Sequence, residues 1–183
     1  MKSKRANPSS DYSPLDDFER RYVRPKSGRT LIVGSQVYGE KEDRRKRYSN
    51  VVGVDMLAGP GVDVVANLEE PVSIGAFAHI ECMSVLEHSA RPWLLAGNLE
   101  TLLEPGGTIF VTVPFIWRYH GYPSDFWRFT IQGIRALFSG IEWRDTAYGY
   151  RTLIGEKDKI PLQRFGGYPF YPRTETFAFG FKR

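Results

Sequence analysis

Thr30-Leu31-Ile32-Val33 runs into Gly34-Ser35-Gln36-Val37-Tyr38-Gly39, and a second apolar run, Val51-Val52-Gly53-Val54, ends in Asp55. The pattern is strand, glycine-bounded loop, crossover, strand, acid. Glycine at the carboxyl end of a strand lets backbone N–H groups come close to a ligand. A carboxylate at the end of the next strand, about 20 residues on, is placed to accept hydrogen bonds from ribose hydroxyls. The stretch predicts a nucleoside-containing cofactor beyond the strand ends. Taken alone, the loop reads more often as an ordinary strand-to-helix turn. It is not G-x-G-x-x-G, since Ser35 and Gln36 follow Gly34. Glu40 after Gly39 removes the Gly-Lys-Ser/Thr ending of a phosphate loop, which argues against a nucleoside triphosphate site.

Outward from this stretch, strands alternate with crossovers. Val62 to Val65 reads as a brief third strand, Ala78 to Met83 as a fourth and Thr108 to Val113 as a fifth. Arg91 to Leu103 predicts a helix with Trp93, Leu94, Leu95, Leu99, Leu102 and Leu103 as its buried stripe, ended by Pro105-Gly106-Gly107. The crossover from Val37 to Asn50 is so polar that only a short or frayed helix is expected. Thr130 is a candidate cap for a helix to Phe138, and Glu142 to Tyr148 and Thr176 to Phe181 read as two last strands. Between those strands, Phe165, Gly166, Gly167, Tyr168, Pro169, Phe170, Tyr171 and Pro172 form a long loop. Upstream, Ser13-Pro14 reads as a helix start with Leu15, Phe18 and Tyr22 on one face, broken by Pro25 to Gly28. That helix either covers the cleft or packs on the sheet edge. The expectation is an α/β, Rossmann-like, doubly wound sheet, with ligands beyond the carboxyl ends of its strands. Residues 1–29 form a tail and short helix, and residues 30–183 one domain.

The 183 residues suit one α/β domain. A single cysteine, Cys82, excludes an internal disulfide and suits a reducing compartment. No apolar run reaches membrane-spanning length, so a soluble cytoplasmic protein is expected, with no membrane partner. The net charge of +4 draws partly on Arg44-Arg45-Lys46-Arg47. Glu42 and Asp43 stand just upstream, so a solvated face is favoured over a nucleic-acid patch.

Val85-Leu86-Glu87-His88, Leu102-Leu103-Glu104-Pro105-Gly106-Gly107 and Val113-Pro114-Phe115 resemble the class I S-adenosylmethionine-dependent methyltransferases, in the branch called methyltransferase type 11. His120-Gly121-Tyr122-Pro123 and Asp125-Phe126-Trp127-Arg128-Phe129-Thr130 are similar to a subset of that branch. The resemblance implies about seven strands, mostly parallel, with the last one antiparallel. It implies S-adenosylmethionine as cofactor. Gly34, Ser35, Gln36 and Gly39 would cradle its amino-acid end, Asp55 its ribose, Met56 and Leu68 its adenine ring, Asn67 the adenine amino group, and Ser84 and Val85 the methionine portion. Two departures stand out. The loop is poorer in glycine than the family pattern, and Asn67 takes a position that is often Asp; an amide oxygen still accepts a hydrogen bond.

Transfer to an alcohol gains from a general base, usually His. His79 lies within a strand and reads as structural. His88 either faces the cleft or caps the next helix. His120 lies in the aromatic loop after the fifth strand, where acceptor residues sit. Tyr119, Tyr122, Asp125, Trp127 and Arg128 are candidate acceptor contacts, with a lid closed by an internal Asp–Arg pair as the equal alternative. Cys82 reads as a buried hydrophobe. The histidines and the cysteine show no metal-ligand spacing, so no metal is expected. The sequence reading is a methyltransferase acting on a small molecule or glycan, at oxygen, with homodimerisation open. The alternatives are a catalytically degenerate binding module for a protein or nucleic-acid partner, and, less well, a nicotinamide-dependent oxidoreductase.

Overall fold

Four-residue β1 (Thr30–Val33) is buried along its whole length, as a central parallel strand must be. It lies between β2 (Val51–Asp55) and β4 (Phe77–Met83), with Leu31 opposite both Val52 and Ile80. The computed structural model describes residues 14–23, 27–39, 42–149, 164–165, 168–169 and 175–183. Beyond β2 stands two-residue β3 (Val64–Val65); beyond β4 stands β5 (Leu103–Pro114). β6 (Ile141–Gly149) and β9 (Glu175–Lys182) complete a seven-stranded sheet of order β3-β2-β1-β4-β5-β9-β6. β9 inserts antiparallel to both neighbours, with Phe110 opposite Phe179 and Thr112 opposite Phe177. A separate two-stranded ribbon joins β7 (Arg164–Phe165) to β8 (Tyr168–Pro169). The expected sheet, parallel but for its last strand, is the one found.

One face of the sheet carries α2 (Pro92–Leu102) and α3 (Ile131–Leu137). Leu95, Ala96, Leu99 and Leu102 of α2 pack into the main core with Ile80, Ile109 and Phe138. Trp93 and Leu94, expected in that stripe, are 53% and 38% exposed. At 100° per residue Trp93 falls nearly opposite Leu95, so the two cannot share a face. α3 opens as expected on Thr130, whose Oγ1 accepts from the Gly133 amide at 3.0 Å.

The other face carries α1 (Pro14–Tyr22). Phe18 packs against Phe110 and Phe177 at 5.9 and 5.7 Å between ring centroids, and Tyr22 stacks on Phe179 at 4.4 Å. The helix therefore lies against the aromatic strands β5 and β9, and not over the cleft. The Arg44–Arg47 run folds beside it as one 3-10 turn, the short crossover that its polarity predicts. Arg44 pairs with fully buried Glu81 and with Glu19, Arg45 with Asp43 and Asp63, and Arg47 with Glu19 and Glu42. These arginines neutralise the chain's own carboxylates.

β5 begins five residues ahead of the expected Thr108, because Leu103 already pairs with Phe77 before an irregularity in the ladder. Among the described residues, no helix is long and apolar enough to cross a membrane. The Ser13 cap, the Pro25 break and loop residues Gly166, Gly167, Phe170, Tyr171 and Pro172 lie outside the described residues.

Candidate active site

The carboxyl ends of β1, β2 and β4 bring Gly34, Asp55 and Ser84 to one edge of the sheet. Gly34 has φ +67°, and a Cβ there would stand 2.6 Å from Val85 Cγ2. Only glycine lets the β1 turn lie this close to the β4 turn. Ser84 is, among the described residues, the non-glycine residue with positive φ, at 52°. Strained backbone of this kind clusters at functional sites. The Gly34 and Ser35 amides bond to the Val54 carbonyl at 2.9 and 3.1 Å, which pins the turn to β2. The buried Ser35 Oγ has no hydrogen-bond partner among the described residues. Asp55 accepts from the Gln36 amide at 3.1 Å and the Leu57 amide at 3.2 Å, one bond per oxygen. A carboxylate has room for about four such bonds, so acceptor capacity remains for a ligand.

Met56 beside it is 57% exposed, an apolar side chain at the open end of β2. Asn67 Oδ1 already accepts from the Glu69 amide at 3.0 Å. Leu68 is buried in the main core and can offer a ring only a small edge. Gly39 stands at φ +58° with open space where a Cβ would go, farther along the loop than the Gly34 contact. The residues present thus fit a nucleoside best at Asp55 and Met56.

On the β4–β5 side, the chain makes one 3-10 turn, Leu86–His88, and the segment from Phe115 to Thr130 folds back over it. The Phe126 amide donates to the Glu87 carbonyl at 2.7 Å, and Trp127 Nε1 donates to the Ser89 carbonyl at 2.8 Å. Asp125 is almost fully buried. It accepts from the His120 amide at 2.8 Å and from Arg128 at 2.5 and 2.8 Å. Arg128 also reaches the Trp117 and Arg118 carbonyls at 3.3 and 3.1 Å. The Arg128 guanidinium holds the Asp125 carboxyl well below the usual carboxylate range. Of the two readings of this pair, the geometry is that of an internal clamp. Tyr119 and Tyr122 are exposed, and Trp127 packs edge-on against Trp93 at 6.4 Å.

The clamp delivers His120 to His88, ring centroids 4.9 Å apart. Nδ1 of His88 bonds the Ser124 carbonyl at 2.5 Å, so it carries the proton and Nε2 keeps its lone pair. Burial lowers the His88 pKa, which keeps the ring neutral near pH 7. Nδ1 of His120 lies 3.1 Å from Asp125 and 3.3 Å from the Arg118 carbonyl, which orients that ring as well. Both Nε2 atoms face Glu87 Oε1, at 3.7 Å from His88 and 3.6 Å from His120. Glu87 itself is fully buried. Burial pushes its carboxyl up to about 8, opposed by its own amide and reinforced by Asp125 and Glu175. Tyr122 lies within 6.5 Å of both imidazoles and stacks on Tyr38 of the β1 loop at 6.1 Å, joining this cluster to the cofactor side.

The structure thus brings together His88, His120, Tyr122, Ser84, Val85, Gly34 and Asp55. His79 stays apart as expected, buried and bonded to Thr108. Cys82 is a buried free thiol whose pKa burial raises. Two residues escaped the sequence reading. Glu87 carried a signal, an acid inside the apolar stretch Val85-Leu86; Tyr38 carried none beyond its place in the loop.

No family model matches the sequence, and no curated protein does. Solved structures do. The 1,6-didemethyltoxoflavin-N1-methyltransferase of Burkholderia thailandensis, solved with S-adenosylhomocysteine, is 15% identical, with 91% of this chain and 75% of that one covered and a TM-score of 0.63. The N-methyltransferase NodS of Bradyrhizobium japonicum, also solved with S-adenosylhomocysteine, is 11% identical, covering 94% and 89% with a TM-score of 0.60. The 4+2 cyclase SpnF is 16% identical, covering 100% and 84% with a TM-score of 0.63. The chain therefore has the class I methyltransferase fold. A cyclase shares that fold, so activity has to be argued from the site.

Proposed function

We propose that the chain is an S-adenosylmethionine-dependent methyltransferase acting on a small molecule or glycan, with oxygen as the accepting atom. The observation that carries this is the meeting of Asp55, the Gly34 turn and the strained Ser84 at one sheet edge, beside two imidazoles whose Nε2 atoms face Glu87. Asp55 has acceptor capacity for ribose hydroxyls, and Met56 is an open apolar surface for a base. Bound S-adenosylmethionine supplies a methyl group on a sulfonium. The chain's own part is to align an acceptor oxygen behind that methyl and keep water out, which supplies much of such a rate effect. In this reading His88 or His120 takes up the hydroxyl proton at Nε2. The two relatives solved with S-adenosylhomocysteine support the cofactor assignment. The exposed aromatics Tyr119, Tyr122 and Trp93 favour a sugar or planar acceptor.

Calorimetric titration with S-adenosylmethionine and S-adenosylhomocysteine tests the reading. Both are expected to bind, and Asp55→Ala is expected to weaken them on the order of 100-fold, about 2.7 kcal/mol. A folded wild-type chain that takes up neither ligand at millimolar concentration would overturn it.

A further inference from the structure

We propose that Glu87, His88 and His120 form a binding site for one divalent first-row transition cation. The three side chains offer ligand atoms that all lie within 4.8 Å of one another. Two ligands about 2.1 Å from one ion at the tetrahedral angle stand about 3.4 Å apart. The distances from Glu87 Oε1 to the two Nε2 atoms, 3.6 and 3.7 Å, need only a slight contraction to meet that.

The ring orientations are those of metal ligands. Each imidazole turns its Nδ1 to a backbone carbonyl behind it, that of Ser124 for His88 and that of Arg118 for His120, whose Nδ1 also lies 3.1 Å from the Asp125 carboxylate. Each therefore turns its Nε2 atom toward Glu87. Ligating histidines are almost always backed in this way, by a carbonyl or a carboxylate.

A second observation is independent of the histidines. Glu87 is fully buried, and among the described residues neither of its carboxylate oxygens has a hydrogen-bond partner. Buried polar groups without partners are costly and call for an explanation, of which an ion is one. Here a cation would satisfy an Oε1 that already faces two nitrogen ligands.

Two imidazoles and one carboxylate suit zinc, cobalt, iron or manganese better than magnesium or calcium, which prefer oxygen shells. Three protein ligands also leave an open coordination position, as catalytic sites do. Tyr122 borders the cluster and the β1 loop alike, so that position opens toward the cleft. A hydroxyl bound there would lose its proton more readily than in water. His88 and His120 would then serve as ligands and not as bases, and the ion would make the bound hydroxyl acidic enough to release its proton to solvent. Binding of the cation itself does not depend on the cofactor reading.

The test uses the full chain, stripped with a chelator and titrated with Zn2+ in the calorimeter and with Co2+ by visible absorption. One equivalent is expected to bind at micromolar concentration or tighter, with Co2+ bands between about 500 and 650 nm of four- or five-coordinate intensity. Glu87→Gln and His120→Asn are each expected to weaken binding on the order of 100-fold, and Asp125→Asn, one step behind, 10- to 100-fold. Melting curves establish that each variant is folded. Failure of the folded wild type to bind either ion below millimolar concentration overturns the site. So does binding that Glu87→Gln and His120→Asn leave unchanged. Both titrations run without S-adenosylmethionine. Cation binding by a chain that ignores the cofactor would keep the site and sink the methyltransferase reading, and the reverse result would do the opposite.

Discussion

At the β1–β2 end of the cleft the contacts are between near neighbours, whereas at the β4–β5 end they span long stretches of chain. Asp55 bonds to Leu57 two residues on and to Gln36 nineteen residues back. Trp127 reaches Ser89 across 38 residues, and His88 reaches Ser124 across 36. The first end is shaped by backbone turns and by glycine conformation. The second is shaped by buried side-chain pairs that exist only once the Phe115–Thr130 segment has folded back. The contrast suggests a division of labour. A constant cofactor needs a repeatable turn, whereas an acceptor site has to be assembled from a loop that can vary.

Removing Arg128 tests that contrast most severely. Its guanidinium meets Asp125 through two nitrogens and also bonds three carbonyls. Arg128→Met leaves a buried carboxylate without its counter-charge. Discounted for the partial exposure of Arg128, that costs about 2–4 kcal/mol. For a chain of this size the melting temperature should fall by about 5–15 °C. His120, held by the same carboxylate, should lose its register with His88. S-adenosylhomocysteine affinity should change less than about fivefold. An equal collapse of cofactor binding would show that both ends fold as one unit.

The same contrast explains what could be read from the chain. Strand β1, strand β2 and Asp55 are legible because hydrophobic runs and glycines act locally. Strand β9 is legible through the alternation of Phe177, Phe179 and Phe181, and its antiparallel direction only through the family resemblance. The Thr130 cap is legible because capping involves residues three apart. The grouping of Glu87 with His120 is not, since the two are brought together by a loop whose path depends on the Asp125–Arg128 pair. Metal-ligand spacing searches find ligands near one another in sequence, and here one of three comes from a distant loop. The exposure of Trp93 and Leu94 was missed for a different reason. An almost continuous apolar run in a helix conceals which side faces the core. Asn67 and Leu68 were placed by resemblance, and only the fold shows one engaged in a local turn and the other mostly inside the core.

Gly34→Ala probes the point where the two ends touch. The added Cβ would meet Val85 Cγ2 at 2.6 Å, with φ at +67°. Strain and clash together should cost about 1–3 kcal/mol and weaken S-adenosylhomocysteine binding as the β1 turn is pushed away from β4. Gly39→Ala is the matched control, because its φ of +58° carries the same backbone strain with nothing within 4 Å of the new methyl. Its cost should be about 1 kcal/mol. Equal costs for the two would mean that the close approach to Val85 does not matter.

The smallest effect is expected at Glu69, which bridges the ends. It follows Asn67 at the cofactor side and accepts from Ser89 Oγ at 2.8 Å and Arg91 Nε at 2.9 Å on the acceptor side. Burial works to raise its pKa, but the hydrogen bonds from Ser89 and Arg91 prevail and hold it below the ordinary 4.5. A depressed carboxyl contributes stability that is complete above its unfolded value and is lost as pH falls through its folded value. Glu69→Gln should therefore melt lower than the wild type by about 1–3 °C at neutral pH, and the gap should close as the pH drops below about 4. The measurement is a pair of melting curves taken across that range. A gap that stays constant down to pH 3 would mean that the bridge acts through shape and not through charge.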